Sequence, residues 1–157
     1  MAAQLWLLRH GEAVPHGSKP DEDRELTRRG ERQAEAAGAA LAALGVEFAA
    51  CYTSPKVRAG DTARMVCARL NIEPEDAAAI ADPGFEARDA LELLLPHGAD
   101  ARVLVVGHEP SFSQIVHDLT GARLDFKKGG LTAVRVERGS GEMLVLLRPR
   151  ELESLAR

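Results

Sequence analysis

Apolar residues follow two patterns along this chain, and together they predict strands that alternate with helices. Short, continuous apolar runs predict buried strands at residues 5–8, 48–53 and 102–106. Apolar residues at helical spacing predict four helices, over residues 27–44, from 55 to about 70, over 85–95 and around 112–119. Two further strands, 131–137 and 143–147, are predicted to pair around Gly139-Ser140-Gly141, and one more short strand is predicted at 78–81.

Residues between these segments indicate where helices begin and end. Thr27 is a favoured N-terminal cap and Gly45 a helix stop, while Ser54-Pro55 predicts a cap and first turn for the second helix. Residues 13–24 are rich in proline, glycine and charge, which predicts a solvated loop at the rim of a site.

Strands that alternate with helices and end in a hairpin predict an α/β fold. We expect a three-layer α/β/α sandwich, with a mostly parallel central sheet, helices on both faces and a C-terminal hairpin. A chain of 157 residues fits a single domain, 1–157. In such sheets ligands bind beyond the carboxyl ends of the strands, so we expect the site at that edge.

Composition narrows the range of partners. The chain has 20 basic and 24 acidic residues, for a net charge of -4, which argues against a nucleic-acid surface because phosphate-backbone binding needs a cationic excess. No apolar run approaches the roughly 18 residues of a membrane span, and the signal-peptide pattern is missing, so we expect a soluble, cytoplasmic protein without membrane partners. Cys51 and Cys67 lack metal or disulfide spacing and are expected to be buried thiols.

The three long apolar strands end in residues whose chemistry suits a phosphoryl group. Their ends are Arg9-His10-Gly11, the segment 54–58 and Gly107-His108-Glu109-Pro110. Arg9, Arg58 and His108 can bind and stabilise a phosphoryl group, and free amides at the start of the second helix also favour an anion. His10 is then the natural nucleophile, since a neutral imidazole attacks phosphorus and its phosphoramidate is cleaved by water. The pattern predicts two successive displacements.

These motifs resemble those of the histidine phosphatase superfamily, which also contains the phosphoglycerate mutases. Residues 8–12, Leu-Arg-His-Gly-Glu, resemble its opening motif, and residues 24–30 resemble its segment into the first helix. Residues 54–59 and 106–110 supply the second arginine and the second histidine. The small size of the chain, and the Lys127-Lys128-Gly129-Gly130 stretch before the hairpin, are most similar to the SixA-type phosphohistidine phosphatases.

The resemblance implies a role for individual residues. His10 would be the nucleophile, with Arg9, Arg58 and His108 around the phosphoryl group and His108 as a protonated donor. Ser54 is a helix cap first and a candidate phosphate contact second. We expect neither a metal nor a cofactor, since no second histidine follows His108 at the spacing of a zinc protease and Pro110 interrupts the segment.

The proton donor to the leaving group has three alternatives. Glu86 lies nearest to the position where many relatives have an acid, and Glu109 matches a more distant branch. Alternatively, no acid is needed, because the P–N bond of a phosphohistidine is already weak. By themselves, Glu86, Glu109 and Glu12 also suit helix caps or rim charges.

Three functions stay open on the sequence. The preferred one is a cofactor-independent phosphohistidine phosphatase in signal transduction, whose partner is a phosphorylated protein such as a histidine phosphotransfer domain. The others are a phosphatase of small phosphorylated metabolites and a module that binds phosphorylated partners without turnover; the presence of His10 argues against the latter. A mutase is less favoured because only a short segment separates the second helix from Glu86. Lys127 and Lys128 are either a solvated pair or a rim that attracts an acidic partner.

Overall fold

A six-stranded sheet forms the centre of the molecule. The computed structural model describes residues 2–157. Its strands are β1 (Ala3–Arg9), β2 (Ala50–Thr53), β3 (Pro74–Asp76), β4 (Arg102–Gly107), β5 (Leu131–Glu137) and β6 (Ser140–Leu147). They lie in the order β3-β2-β4-β1-β5-β6. Strands β1 to β4 are parallel, whereas β5 pairs antiparallel with both β1 and β6. The predicted α/β fold, with a mostly parallel sheet and a C-terminal hairpin, is confirmed.

Helices cover both faces of this sheet. One face carries α1 (Arg28–Ala43), α2 (Val57–Leu70) and α5 (Pro149–Leu155), and the other carries α3 (Ala87–Leu94) and α4 (Ser111–Thr120). Successive residues of a strand point to opposite faces, so Leu104 and Val106 of β4 pack in one core cluster and Val103 and Val105 in the other. This double burial explains why β4 is apolar throughout. None of the helices in residues 2–157 has the length and apolar character needed to cross a membrane.

Several local predictions are confirmed. The side chain of Thr27 accepts a hydrogen bond from the Gly30 amide and caps α1. Gly45 follows the end of this helix with a φ of 69°, in the left-handed region that favours glycine. Cys51 and Cys67 are buried, free thiols.

The strand predicted at 78–81 is wrong. Residues Ala78–Ala81 form a turn of 3-10 helix, and Ile80 points into the core. The edge strand beside β2 is instead Pro74–Asp76. Proline is tolerated there because an edge strand leaves one side of its backbone unpaired.

Two helix boundaries also differ from the prediction. The second helix begins at Val57, with Lys56 at the cap position, so Ser54 lies ahead of the helix. Leu95, expected on the apolar side of the third helix, lies beyond its end and is 77% exposed. The short helix α5 was not predicted, because only Leu152 of its seven residues is buried and so no apolar period marks it.

Candidate active site

The carboxyl ends of three neighbouring strands meet at one edge of the sheet. Strand β4 lies between β1 and β2, with Arg9 paired to Gly107 and Thr53 paired to Val106. The residues that follow these strands are therefore adjacent in space. Among the predicted site residues, His10 follows β1, Ser54 follows β2, His108 follows β4 and Arg58 lies in the first turn of α2.

His10, Arg58, His108 and Ser54 form a connected cluster. The ring centroids of His10 and His108 are 5.2 Å apart. The Nε atom of Arg58 lies 3.3 Å from Nε2 of His10, and Nε2 of His108 lies 2.7 Å from the hydroxyl of Ser54. The structure thus brings together groups that the sequence separates by almost 100 residues.

His10 is a neutral imidazole with its Nε2 lone pair directed at Arg58. Its Nδ1 atom lies 2.7 Å from the carbonyl oxygen of Gly11, and since a carbonyl only accepts, Nδ1 carries the proton. Nε2 then accepts the hydrogen bond from Arg58. Burial lowers the pKa of His10 to about 3; the Gly11 hydrogen bond opposes this shift and the neighbouring cations add to it. His10 is therefore unprotonated at Nε2 near neutral pH.

Asp21 fixes the orientation of Arg58. The Arg58 guanidinium donates from Nη1 to the backbone oxygen of Asp21 at 2.8 Å and from Nη2 to its carboxylate at 3.3 Å. The same carboxylate accepts from Lys56 Nζ at 2.8 Å and from Arg24 Nε at 3.1 Å. The hydrogen bond from Lys56 and the adjacent charge of Arg58 keep the pKa of Asp21 well below its ordinary value. Asp21 is thus a charged carboxylate that leaves Nε of Arg58 facing His10.

Arg9 retains donors for a ligand. It donates from Nη1 to the carbonyl oxygen of Phe126 at 2.8 Å. Its Nε atom is buried and has no hydrogen-bond partner among residues 2–157. Burial lowers the pKa of Arg9, and Glu109 and Asp125 oppose that shift. An arginine with an unpartnered donor beside a nucleophile is suited to an anionic group.

His108 is an uncharged imidazole near neutral pH. Burial, together with the charges of Arg58 and Lys56, lowers the pKa of His108 to about 4. Its Nδ1 atom is buried and has no partner in the described part of the chain. A histidine with one ring nitrogen fixed by Ser54 and the other unpartnered has a nitrogen to spare for a ligand.

Ser54 is fully buried, and its hydroxyl contacts His108 and the Lys56 amide. The contact that the structure shows therefore orients His108. The phosphate contact expected from Ser54 stays a prediction.

The two candidate acids contact none of these residues by hydrogen bond or ion pair within residues 2–157. Glu86 lies at the start of α3, is exposed, and pairs with Arg88 at 3.2 Å. The Glu109 carboxylate accepts from the Ser113 amide at 2.8 Å and from the Ser113 hydroxyl, which satisfies the start of α4. The role of either residue as proton donor stays a prediction.

The loop 13–24 contributes more to the candidate active site than its sequence suggested. Its composition predicted a solvated rim, and it is one in part, but Asp21 bonds to Arg58 of the cluster and the buried Arg24 bonds to Asp21. The only sequence feature that pointed to Asp21 is its place in a run of charges, which is typical of a solvated loop. Within residues 2–157, no group of three or more His, Cys, Asp and Glu side chains is arranged to bind a metal ion.

Comparison with known proteins agrees with this geometry. The family model described as histidine phosphatase superfamily (branch 1) matches residues 5–87. An uncharacterized protein of Picosynechococcus sp. is 32% identical over 139 residues, which cover 84% of each chain. A 2,3-bisphosphoglycerate-dependent phosphoglycerate mutase of Rhizobium etli is 34% identical over 105 residues, which cover 65% of this chain but only 49% of the mutase.

The fold is also shared with solved structures. The protein histidine phosphatase SixA, solved with tungstate, superimposes with a TM-score of 0.83 at 25% identity, and the match covers 95% of this chain and 99% of SixA. This similarity extends beyond the region of the family model to the second histidine and the hairpin. The resemblance found in the sequence is thus confirmed, and the chain belongs to the histidine phosphatase superfamily, branch 1.

Proposed function

We propose that this protein is a phosphohistidine phosphatase, which removes the phosphoryl group from a histidine of a signalling protein through a phosphorylated His10. The observation that carries the proposal is the unprotonated Nε2 of His10, 3.3 Å from Nε of Arg58 and buried among cationic groups. A neutral nucleophile in a cationic pocket suits attack on a phosphoryl dianion. The similarity to the protein histidine phosphatase SixA over 95% of the chain supports the same class of substrate.

In the first step, the lone pair of His10 Nε2 attacks phosphorus and forms a P–N bond. The P–N bond of the substrate breaks, and its electron pair returns to the leaving imidazole of the partner. The Nε–H of Arg58 then donates to a phosphoryl oxygen instead of to His10 Nε2, while Asp21 retains the other two nitrogens of the guanidinium. The carbonyl of Gly11 accepts from Nδ1 throughout, which stabilises the positive charge that develops on the ring.

In the second step, water attacks the phosphorus of phosphorylated His10. The P–Nε2 bond breaks, the electron pair returns to His10, and inorganic phosphate leaves. Arg9, Arg58 and His108 stabilise the outer oxygens in both steps. A bound phosphoryl dianion favours the charged form of His108 and opposes the burial and the nearby cations that lower its pKa, so we expect His108 to gain its proton when substrate binds.

The need for a carboxylic acid depends on the leaving group. A substrate imidazole that keeps a proton on its other nitrogen leaves as a neutral ring, whereas an ester leaves as an alkoxide or phenoxide and benefits from a donor. We assign Glu86 the donor role for esters only, since it lies at the start of α3 and makes no hydrogen bond or ion pair with the cluster within residues 2–157.

The test is a rapid-quench experiment with two labelled substrates, a histidine-phosphorylated protein and phenyl phosphate. Wild-type enzyme is compared with His10→Asn and with His117→Asn, which alters an exposed histidine of α4. We expect acid-labile label on wild type and on His117→Asn, and none on His10→Asn. Phosphate release should fall about a thousandfold or more in His10→Asn.

Other outcomes assign another function. Label on His10→Asn, or phosphate release from His10→Asn at the wild-type rate, would exclude His10 as the nucleophile. Faster turnover of phenyl phosphate than of the phosphorylated protein would favour a phosphatase of small phosphomonoesters. Saturable binding with neither label nor release would favour a binding module.

A further inference from the structure

A groove of about 470 Å³ lies beside Arg9 and carries an unusual number of cations. They come from four separate parts of the chain: the end of β1, the start of α1, the loop before β5 and the start of α5. The six cationic side chains that line the groove are Arg9, Arg29, Lys127, Lys128, Arg148 and Arg150. Because Arg9 lines the groove and also lies next to His10 in the chain, the groove adjoins the phosphoryl site.

The groove keeps a positive excess after its ion pairs are counted. Three carboxylates pair with its side chains, at 3.5 Å, 2.8 Å and 2.9 Å: Glu12 with Arg29, Asp125 with Lys127, and Glu151 with Arg148. Lys128 makes no ion pair within residues 2–157. Six cations therefore face three carboxylates, on a chain whose net charge is -4. The groove is therefore positively charged, although the protein as a whole is negatively charged.

The side chains of the groove are exposed, unlike those around His10. The Arg29, Lys127, Arg148 and Arg150 side chains are 68%, 57%, 51% and 76% exposed. Exposed ion pairs contribute little to stability, so these cations can exchange an internal carboxylate for one from a partner at small cost. A single compact anion is better bound by converging, buried donors such as Arg58. Long, exposed cations from four segments fit several carboxylates spaced along a polypeptide.

We infer that this groove binds an acidic segment of the phosphorylated protein substrate, an inference that rests on the proposed function. The segment lies along the starts of α1 and α5 and the loop 126–130, and its phosphohistidine enters past Arg9. Its carboxylates replace Glu12, Asp125 and Glu151 as partners of the groove cations. Since the chain as a whole is acidic, the groove also directs an acidic partner to this one face.

The test measures binding apart from catalysis. Two short fluorescent peptides of equal length carry no phosphate; one is rich in glutamate, and the other has glutamine in place of each glutamate. Their Kd values are measured with wild type, with Lys127→Gln/Lys128→Gln, and with Arg135→Gln/Arg138→Gln, at low ionic strength and at about 0.15 M. The second double variant removes the same charge from the hairpin, at the opposite end of the sheet.

We expect the glutamate peptide to bind wild type more tightly than the glutamine peptide, and more weakly at the higher ionic strength. Its affinity should fall about fivefold in Lys127→Gln/Lys128→Gln and stay unchanged in Arg135→Gln/Arg138→Gln. Equal affinity in wild type and Lys127→Gln/Lys128→Gln, or an equal loss in both double variants, would overturn the inference. The inference would also be overturned if Lys127→Gln/Lys128→Gln lost affinity for a small dicarboxylate and kept its affinity for the glutamate peptide.

The same peptides with one phosphohistidine separate the inference from the proposed function. If wild type releases phosphate, we expect a higher kcat/KM for the acidic peptide, and this preference should shrink in Lys127→Gln/Lys128→Gln. If wild type releases no phosphate from either peptide, the proposed function fails, and the Kd values of the unphosphorylated peptides still decide whether the groove binds an acidic segment.

Discussion

At the scale of single residues, Asp21 determines how Arg58 meets His10. It accepts from two of the three guanidinium nitrogens and so directs the third, Nε, at the nucleophile. Its charge also offsets part of the positive charge of Lys56 and Arg58. Asp21 is therefore a positioning residue, which orders the donors and weakens the attraction of the site for anions.

Removing the Asp21 carboxylate should separate binding from turnover. In Asp21→Ala, Arg58 and Lys56 lose a counter-charge, so anions bind at least as well, but Arg58 keeps only its bond to the backbone oxygen of residue 21 and is less firmly oriented. We expect kcat to fall about tenfold with KM unchanged or lower. Steady-state kinetics on phenyl phosphate measure both constants. Asp23→Ala in the same turn is the control, since Asp23 is exposed and makes no side-chain bond within residues 2–157; similar kinetics in the two variants would contradict the role of Asp21.

Glu86 allows a second test at the residue scale. If Glu86 serves only ester leaving groups, Glu86→Gln should lower kcat/KM for phenyl phosphate about tenfold and change that for a phosphohistidine peptide by less than about twofold. Glu92→Gln, which alters another exposed glutamate of α3, should change neither. Equal losses on both substrates in Glu86→Gln would show that the leaving group does not decide the role of this residue.

The sequence predicted the central residues of the cluster but not their support. His10, Arg58 and His108 are recognisable because each follows a buried strand or starts a helix, and the ends of parallel strands meet. Asp21 follows no such pattern: Lys56 and Arg58, its partners at the site, are 35 and 37 residues away in the chain. No periodic pattern of residues marks a long-range contact made by an irregular loop, so the composition predicts only that the loop is solvated.

At the scale of elements, the start of α1 packs directly on the loop that carries the nucleophile. A Cβ atom on Gly30 would lie 2.0 Å from the backbone oxygen of Glu12, and one on Gly11 would lie 2.5 Å from the backbone oxygen of Gly30. Thr27 strengthens the same contact, because its amide donates to that Glu12 oxygen at 2.9 Å. The helix and the strand end are thus fixed by backbone contact that only glycine permits.

Gly30→Ala should therefore damage both stability and activity. The new methyl group has to push backbone aside, which we expect to cost about 2 kcal/mol in the free energy of unfolding. It should also displace the loop that follows His10 and lower kcat. Gly60→Ala in α2 is the control: its Cβ would meet only the Arg64 side chain, at 3.4 Å, and we expect about 0.5–1 kcal/mol of stabilisation. Urea denaturation measures both variants, and equal effects would contradict this account.

Elements were predictable where they bury an apolar stripe. Strand β4 and helices α1 and α4 have buried faces with clear periods, and they lie close to their predicted positions. Two elements at the periphery were not predictable: β3 has no buried residue, and α5 has only Leu152. Their structure depends on contacts with the rest of the molecule, and the pattern of apolar and polar residues along the chain does not show those contacts.

At the scale of the whole molecule, the two buried histidines couple the site to stability. The pKa of His10 falls to about 3 and that of His108 to about 4, from an ordinary value of 6.5. Below pH 6.5 the unfolded chain therefore binds more protons than the folded protein. The two histidines contribute fully to stability above pH 6.5, and that contribution is lost as pH falls through the folded-state values.

The expected result is a free energy of unfolding that falls between pH 6.5 and pH 4, by at most about 1.4 kcal/mol per pH unit for each histidine. His10→Asn/His108→Asn lacks both groups, so its stability should depend less steeply on pH than that of wild type. Urea denaturation at several pH values measures the two slopes. His16→Asn/His117→Asn, which removes two exposed histidines, should keep the wild-type slope. If His10→Asn/His108→Asn also keeps the wild-type slope, the loss of stability in acid arises from carboxylates elsewhere in the protein and not from the two histidines.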